Sequence, residues 1–215
     1  MRHYGLLRSR LQHGPVASAV AARDRIMTQA ARPYRSVLYI PGSKARALEK
    51  AKTLAADAII FDLEDAVAPE EKPGARDLLA ETLLPGAYGS RAVLLRVNGL
   101  ETEWGADDLA ASKAMAVDAV LLPKVNGPAD VDAAAAKAGD VAFWAMIETA
   151  QGVLDARSIA EHPKVAGFVM GTNDLLKEIG AAPKPDRGPI MTALQMALNR
   201  GAEALAAAGV RVVRT

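Results

Sequence analysis

The feature that most constrains the fold is a short apolar run that recurs six times along the chain. Each run is followed by a segment rich in Ala, Leu, Lys, Glu and Asp. The runs cover residues 36–40, 58–63, 92–97, 119–123, 141–147 and 166–170. Because neighbouring positions in each run are apolar, we expect strands that are buried on both faces. Strands of this kind, separated by single helices, predict right-handed βαβ units and a parallel sheet.

The intervening segments predict helices. The last predicted helix has Pro189 in its first turn and Gly209 as its cap. A final apolar run at 210–213 follows it. The predicted helices cover residues 44–55, 70–83, 105–116, 128–138, 151–161 and 189–208. This repeat fits either a doubly wound sheet or a (β/α)8 barrel. No Gly-x-Gly-x-x-Gly follows the first strand, and Gly42-Ser43-Lys44 lacks the spacing of a phosphate-binding loop. We therefore expect the barrel.

The length of the chain sets a limit on that barrel. The sequence has 215 residues and provides about six and a half βα units, whereas a closed barrel typically takes about 250 residues. We therefore predict a TIM (β/α)8-type barrel domain at 34–215 that is C-terminally truncated. Residues 1–33 form an Arg-rich extension, predicted to be disordered, which is compatible with a transit peptide or with an over-extended gene start before Met27.

Composition excludes several classes of function. The chain has no cysteine, which excludes disulfides, thiolate metal sites and cysteine nucleophiles. Its formal net charge is +1, and no apolar run approaches the roughly 18 residues that cross a bilayer. We expect a cytoplasmic protein without a nucleic-acid or membrane partner. The three histidines, His3, His13 and His162, offer little basis for histidine-centred catalysis.

Charged residues follow five of the six strands, and the active sites of parallel αβ folds lie at the carboxyl ends of strands. Glu148 and Asp174 are one βα unit apart, so we expect them on neighbouring strands about 4.8 Å apart, where two carboxylates can share a cation. An oxygen-rich site of this kind favours Mg²⁺, with Mn²⁺ possible, over Zn²⁺ or Cu²⁺. The alternative is that Glu148 caps a helix and Asp174 caps a turn.

Three further positions belong to the same predicted rim. Glu64 and Asp65 could hold metal-bound waters, accept a proton, or cap a helix. Arg96 could bind a substrate carboxylate or stabilise an enolate oxygen, or form an ion pair with Glu64 or Asp65. Lys124 suggests a competing chemistry, because a lysine at a strand end can form a Schiff base if desolvation lowers its pKa.

Six motifs at the strand ends resemble, in order, those of the HpcH/HpaI aldolase and citrate lyase β-subunit superfamily, and most of all its CitE-like and malyl-CoA lyase branch. They are SVLYIPGSKARALEKA, DAIIFDLEDAV, AVLLRVNG, AVLLPKV, AMIETAQGV and VMGTNDL. The resemblance runs from about residue 34 to 208. It implies a Mg²⁺-dependent barrel that cleaves or forms a carbon–carbon bond between an acyl thioester and a 2-oxo acid. The implied substrates are malyl-CoA, citramalyl-CoA or a citryl thioester, and the implied assembly is a homo-oligomer, a trimer or hexamer.

The resemblance also implies roles for individual residues. Glu148 and Asp174 correspond to the Mg²⁺ ligands, with Glu148 also near substrate. Arg96 corresponds to the residue beside the developing enolate, and Glu64 and Asp65 to the acids that bind the waters of the metal. The loop at 41–46 corresponds to a stretch near CoA or a carboxylate.

Two alternatives to the lyase remain open from the sequence. In the CoA-dependent relatives, a C-terminal region supplies an acid/base aspartate to a neighbouring subunit, and this sequence stops at Thr215. One alternative is therefore a truncated, inactive subunit. The other is a Schiff-base aldolase that uses Lys124.

Overall fold

The computed structural model of the chain describes residues 34–180, 188–207 and 211–213. The predicted disorder of residues 1–33 and the predicted cap at Gly209 lie outside these residues. Within the described ranges, none of the helices combines the length and the apolar character that a bilayer span requires.

The strands form one parallel sheet in which every strand pairs with the next strand along the chain. Their bounds are β1 Val37–Pro41, β2 Ala58–Asp62, β3 Ala92–Arg96, β4 Ala119–Leu122, β5 Ala142–Ile147, β6 Val165–Met170 and β7 Arg211–Val213. The order β1-β2-β3-β4-β5-β6-β7 has none of the reversal that defines a doubly wound sheet. The predicted barrel type is confirmed, and β1 and β7 are the edges of the sheet within the described residues.

The helices follow the strands and cover one face of the sheet. Their bounds are α1 Ala45–Ala51, α2 Lys72–Thr82 (after a 3-10 turn at Pro69–Glu71), α3 Gly105–Ser112, α4 Pro128–Ala138, α5 Ala150–Leu154, α6 Ala156–Glu161, α7 Thr172–Glu178 and α8 Gly188–Ala207. The strands and α4 match their predicted bounds closely.

Four features of the helices differ from the prediction. The helix predicted at 105–116 ends at Ser112. The helix predicted at 44–55 ends at Ala51, in a tight turn in which Lys52 N–H donates to Glu49 O. The helix predicted at 151–161 is two helices, because Asp155 adopts φ −95° and ψ 9° and interrupts the helical backbone. The short helix α7 after β6 was not predicted, since seven residues give too little apolar periodicity to recognise.

Successive strand residues enter two separate cores, which explains why the strand runs are apolar throughout. One set faces the barrel interior and includes Ile60, Leu94 and Trp144. The other packs beneath the helices and includes Phe61 and Leu95. Gly167 allows the Trp144 ring to lie directly on the β6 backbone. A Cβ at residue 167 would lie 2.7 Å from that ring, too close for any side chain.

A buried polar network links the end of β3 to helices α2 and α3. Asp108 of α3 is fully buried and accepts hydrogen bonds from Arg76 Nε at 2.8 Å and from Asn98 N and Nδ2 at 3.0 and 2.6 Å. A buried carboxylate is stable only when it is paired in this way. Asp108 therefore fixes the position of Asn98, two residues beyond the end of β3.

We expect Asp108→Ala to lower the free energy of unfolding by about 3 kcal/mol, because it leaves the Arg76 guanidinium and the Asn98 donors without their acceptor. Urea unfolding followed by circular dichroism measures this loss. The matched control is Asp107→Ala. Asp107 is 72% exposed and lies 3.7 Å from Arg76 Nη1, so its loss should change stability by less than about 0.5 kcal/mol. Equal effects of the two substitutions would contradict this account of the network.

Candidate active site

The polar residues at the carboxyl ends of the strands point into the barrel. Ile60 and Leu94 face the interior, so Asp62 and Arg96, two residues further along each strand, face the same way. These two residues are direct neighbours in the register of β2 and β3. The strand geometry therefore brings a cation and an anion together at one rim.

Arg96 is held by acidic side chains on the β2 side of the rim. Its Nε and Nη2 donate to the two oxygens of Asp62 at 2.7 and 2.5 Å. Its Nη1 lies 2.9 Å from Glu64 Oε2 and 3.6 Å from Asp65 Oδ2. Burial alone would lower the pKa of Arg96, but the hydrogen bonds to Asp62 raise it. The predicted ion pairs with Glu64 and Asp65 are present, yet the bidentate partner is Asp62, to which the sequence analysis gave no role.

Tyr39, in the middle of β1, is the second residue that the sequence analysis missed. The Arg96 guanidinium lies over its ring at 5.0 Å, within the range of a cation–π contact. Burial raises the pKa of Tyr39 to about 12, so its hydroxyl remains protonated. The signal in the sequence was the alternation of side chains along β1. Val37, two residues before Tyr39, packs against the interior core, so Tyr39 is on the same face of the strand.

A buried lysine supports the turn that carries Glu64. Lys72 Nζ donates to the carbonyls of Leu63 and Glu64 at 2.8 and 2.7 Å and to Asn98 Oδ1 at 2.7 Å. It also lies 5.0 Å from the centre of the Trp104 ring. Burial lowers its pKa. No sequence pattern distinguishes this lysine from a solvated one, so its contribution appears only in the structure.

Glu64, Glu148 and Asp174 approach one another around Lys124. Lys124 N–H donates to Glu148 Oε1 at 2.8 Å, and its Nζ donates to Glu64 Oε1 at 2.7 Å and lies 3.8 Å from Asp174 Oδ2. The structure therefore brings together the two predicted metal ligands and one predicted outer acid. Asp65 is the least integrated, since it is 65% exposed and its described ion pair is with Arg96.

The titration of the carboxylates in this group is shifted by burial and by their mutual repulsion. Burial, together with the neighbouring Glu64 and Asp174, raises the pKa of Glu148 to about 7 against the hydrogen bond from Lys124 N–H. Burial also raises the pKa of Glu64. Burial alone would lower the pKa of Lys124, but its hydrogen bond to Glu64 and the nearby carboxylates raise it. A Schiff-base lysine needs the opposite shift.

The residues of this rim fit a hard divalent cation. Glu64 Oε2 is buried and receives no hydrogen bond from a described group, although Arg96 Nη1 is close. Glu148 packs against bare backbone at Gly171, where a Cβ would lie 2.5 Å from Glu148 Cβ. Among the described residues, no three or more His, Cys, Asp or Glu side chains form a group that could hold a metal ion, so the candidate ligands are a pair of carboxylates. Two carboxylates that leave coordination positions for water and substrate are typical of Mg²⁺.

Two other parts of the surface lie near this rim. A cavity of about 590 Å³ opens beside Lys124, with Asn98, Asn126 and Thr149 among its lining residues. The predicted loop at 41–46 is anchored to Glu71, which accepts hydrogen bonds from Ser43 Oγ and Lys44 Nζ, both at 3.1 Å. The role predicted for this loop stays a prediction.

His162 lies away from the rim. It precedes β6, at the opposite end of the strand from Asp174, and its Nε2 is 3.1 Å from Asp132 Oδ1. Among the described residues it is the one histidine, so the rim chemistry there depends on carboxylates, Arg96, Lys124 and Tyr39.

Comparison with known proteins gives consistent matches. Over 172 residues the chain is 57% identical to a (3S)-malyl-CoA thioesterase of Cereibacter sphaeroides, a match that covers 80% of this chain and 60% of the relative. It is 34% identical to the citrate lyase subunit beta of Haemophilus influenzae, over 84% of this chain and 65% of the relative. The chain thus spans less than two thirds of the length of these curated relatives.

Solved structures of CitE from Mycobacterium tuberculosis have the same fold. One of these, in complex with magnesium and pyruvate, matches with a TM-score of 0.72 and 28% identity, over 86% of this chain and 74% of that chain. Another, with magnesium, acetoacetate and coenzyme A, matches with a TM-score of 0.69 and 29% identity, over 83% and 64% of the two chains.

The family model described as HpcH/HpaI aldolase/citrate lyase matches residues 35–215. The resemblance inferred from the strand-end motifs is therefore confirmed, and the chain belongs to the HpcH/HpaI aldolase/citrate lyase family.

Proposed function

We propose that this chain carries the Mg²⁺ and substrate site of an enzyme that acts on malyl-CoA or a closely similar CoA thioester. The observation behind the proposal is the rim in which Glu64 lies between two cations, Arg96 and Lys124. Lys124 also contacts Glu148 and Asp174. The thioester class is supported by the malyl-CoA thioesterase relative and by the CitE complex with coenzyme A.

Glu148 and Asp174 are the proposed ligands of the metal. The magnesium in the CitE structures supports this choice of ion. A magnesium ion held by these two carboxylates would supply a Lewis acid for the acid group of the substrate. Glu64 is the proposed acceptor of hydrogen bonds from waters on the metal. Its Oε2 receives no hydrogen bond within the described residues, although Arg96 Nη1 lies 2.9 Å away.

Arg96 is proposed to stabilise negative charge on the thioester carbonyl oxygen. Its bidentate pairing with Asp62 fixes the guanidinium before substrate binds. A preorganised cation of this kind does not have to reorient during the reaction, which is why such groups lower barriers strongly. Tyr39, whose ring lies under Arg96, supports the same orientation.

Two reactions use this arrangement. Hydrolysis, in which water adds to the thioester carbonyl and malate and CoA leave, is the first candidate because of the 57% identity to malyl-CoA thioesterases. Carbon–carbon cleavage, in which a base removes the hydroxyl proton and acetyl-CoA and glyoxylate form, is the second. The matches to citrate lyase subunit beta and CitE favour it. Both reactions develop negative charge on the same carbonyl oxygen, next to Arg96 in this proposal.

We expect Glu148→Gln or Asp174→Asn to weaken Mg²⁺ binding by more than about 100-fold, since loss of outer partners alone costs about 10- to 100-fold. Isothermal titration calorimetry measures the affinity. Glu161→Gln serves as the control because Glu161 pairs with Arg157 on the exposed surface of α6. Wild-type affinity in both site variants would remove the metal assignment.

Arg96→Lys should lower kcat/KM for malyl-CoA by about 100- to 1000-fold, because an ammonium cannot reproduce the bidentate pairing with Asp62 or the fixed position beside the oxyanion. Mg²⁺ binding should persist, since Arg96 is not a proposed ligand. Arg91→Lys is the control, as Arg91 contacts the Leu54 carbonyl at the other end of β3. Steady-state kinetics with unchanged kcat/KM for Arg96→Lys would contradict the role.

The products formed from malyl-CoA should separate the two reactions. Chromatography should detect malate and CoA if the thioester is hydrolysed, and acetyl-CoA and glyoxylate if the carbon–carbon bond breaks. EDTA should abolish either reaction. Turnover that persists in EDTA, with borohydride trapping of glyoxylate on Lys124, would contradict the Mg²⁺ proposal and restore the aldolase alternative.

A further inference from the structure

Lys124 has a backbone conformation that non-glycine residues rarely adopt. Its φ is 49°, and no other non-glycine residue among those described has a positive φ. The left-handed region costs an ordinary residue about 1–2 kcal/mol, and such strain persists where surrounding contacts hold it in place. The contacts of Lys124 therefore hold its backbone in a conformation that a solvated surface lysine would not adopt.

Those contacts join three carboxylates that come from three different strand ends. The N–H of Lys124 donates to Glu148 after β5, and its Nζ donates to Glu64 after β2 and lies 3.8 Å from Asp174 after β6. One residue thus supplies a backbone donor to one proposed metal ligand and a positive charge beside the other. The side chain of Lys124 remains 42% exposed, so its charge is partly solvated.

The position of the ammonium has a definite electrostatic consequence. A divalent cation on Asp174 would experience repulsion from a positive charge 3.8 Å from one of its oxygens. Without a metal, the same ammonium offsets the mutual repulsion of Glu64, Glu148 and Asp174. Lys124 should stabilise the metal-free site and oppose metal binding.

We infer that Lys124 is an internal counter-ion of the carboxylate site, which holds Glu64 in place and sets the Mg²⁺ affinity below what the carboxylates alone would give. This inference rests on the proposed function, since it requires Mg²⁺ on Glu148 and Asp174. It assigns Lys124 a positioning and affinity-setting role and no covalent step.

Mg²⁺ titration of Lys124→Met and Lys124→Gly tests the inference. Both variants remove the ammonium, and glycine also retains the left-handed backbone without strain. We expect both variants to bind Mg²⁺ about tenfold more tightly than the wild type. The effect is modest because solvent screens the partly exposed ammonium. Their melting temperatures without Mg²⁺ should fall and their Mg²⁺-induced increases should exceed that of the wild type.

Lys113→Met is the control for loss of one positive charge, because Lys113 is exposed beyond the end of α3. Its Mg²⁺ affinity should stay within about twofold of wild type. Unchanged or weaker affinity in Lys124→Gly, together with Glu148-dependent binding in the wild type, would overturn the inference alone. Absence of Mg²⁺ binding in the wild type would overturn the proposed function and the inference together. If Lys124→Met does not fold, the glycine variant decides.

Discussion

Arg96 and Asp62 lie side by side at the ends of neighbouring strands, where the apolar interior of the barrel meets the rim. Neither charge could be buried there alone, because the free energy lost when an isolated ion leaves water is larger than its contacts at a strand end could offset. Asp62 also accepts hydrogen bonds from the backbone N–H groups of Glu64 and Ala66. The pair therefore fixes both the guanidinium and the turn that presents the acidic residues after β2.

Around this pair the rim alternates cations and anions from different strands. Lys72 supports the Glu64 turn from below through two carbonyl hydrogen bonds, and Lys124 approaches Glu64 from the side of β4. Glu148 is buried next to Glu64 and Asp174, and this environment raises its pKa to about 7 despite the hydrogen bond from Lys124 N–H. A site with partly offset negative charge can attract a divalent cation while its side chains stay ordered, which connects the packing of the rim to its proposed chemistry.

Much of the site could be predicted because strand ends in a parallel barrel lie at one rim wherever they fall in the sequence. That rule predicts that five residues lie at one rim: Glu64, Arg96, Lys124, Glu148 and Asp174. The rule does not predict which of these side chains pair with one another. Asp62 as the bidentate partner, Tyr39 beneath the guanidinium and Lys72 beneath the turn depend on side-chain direction and burial. A linear pattern of residue types does not specify either property.

The repeating βα order, the parallel sheet and the set of charged residues at its carboxyl edge can be predicted without a structure, since these follow from local hydrophobicity and from the direction of the chain. The pairing of those charges depends on the folded arrangement of the strands. With its left-handed backbone, Lys124 is close to three carboxylates from three strands. Gly171 has no side chain, so Glu148 packs against its backbone. Such arrangements depend on distances between strands that are remote in sequence, and local preferences do not encode these distances.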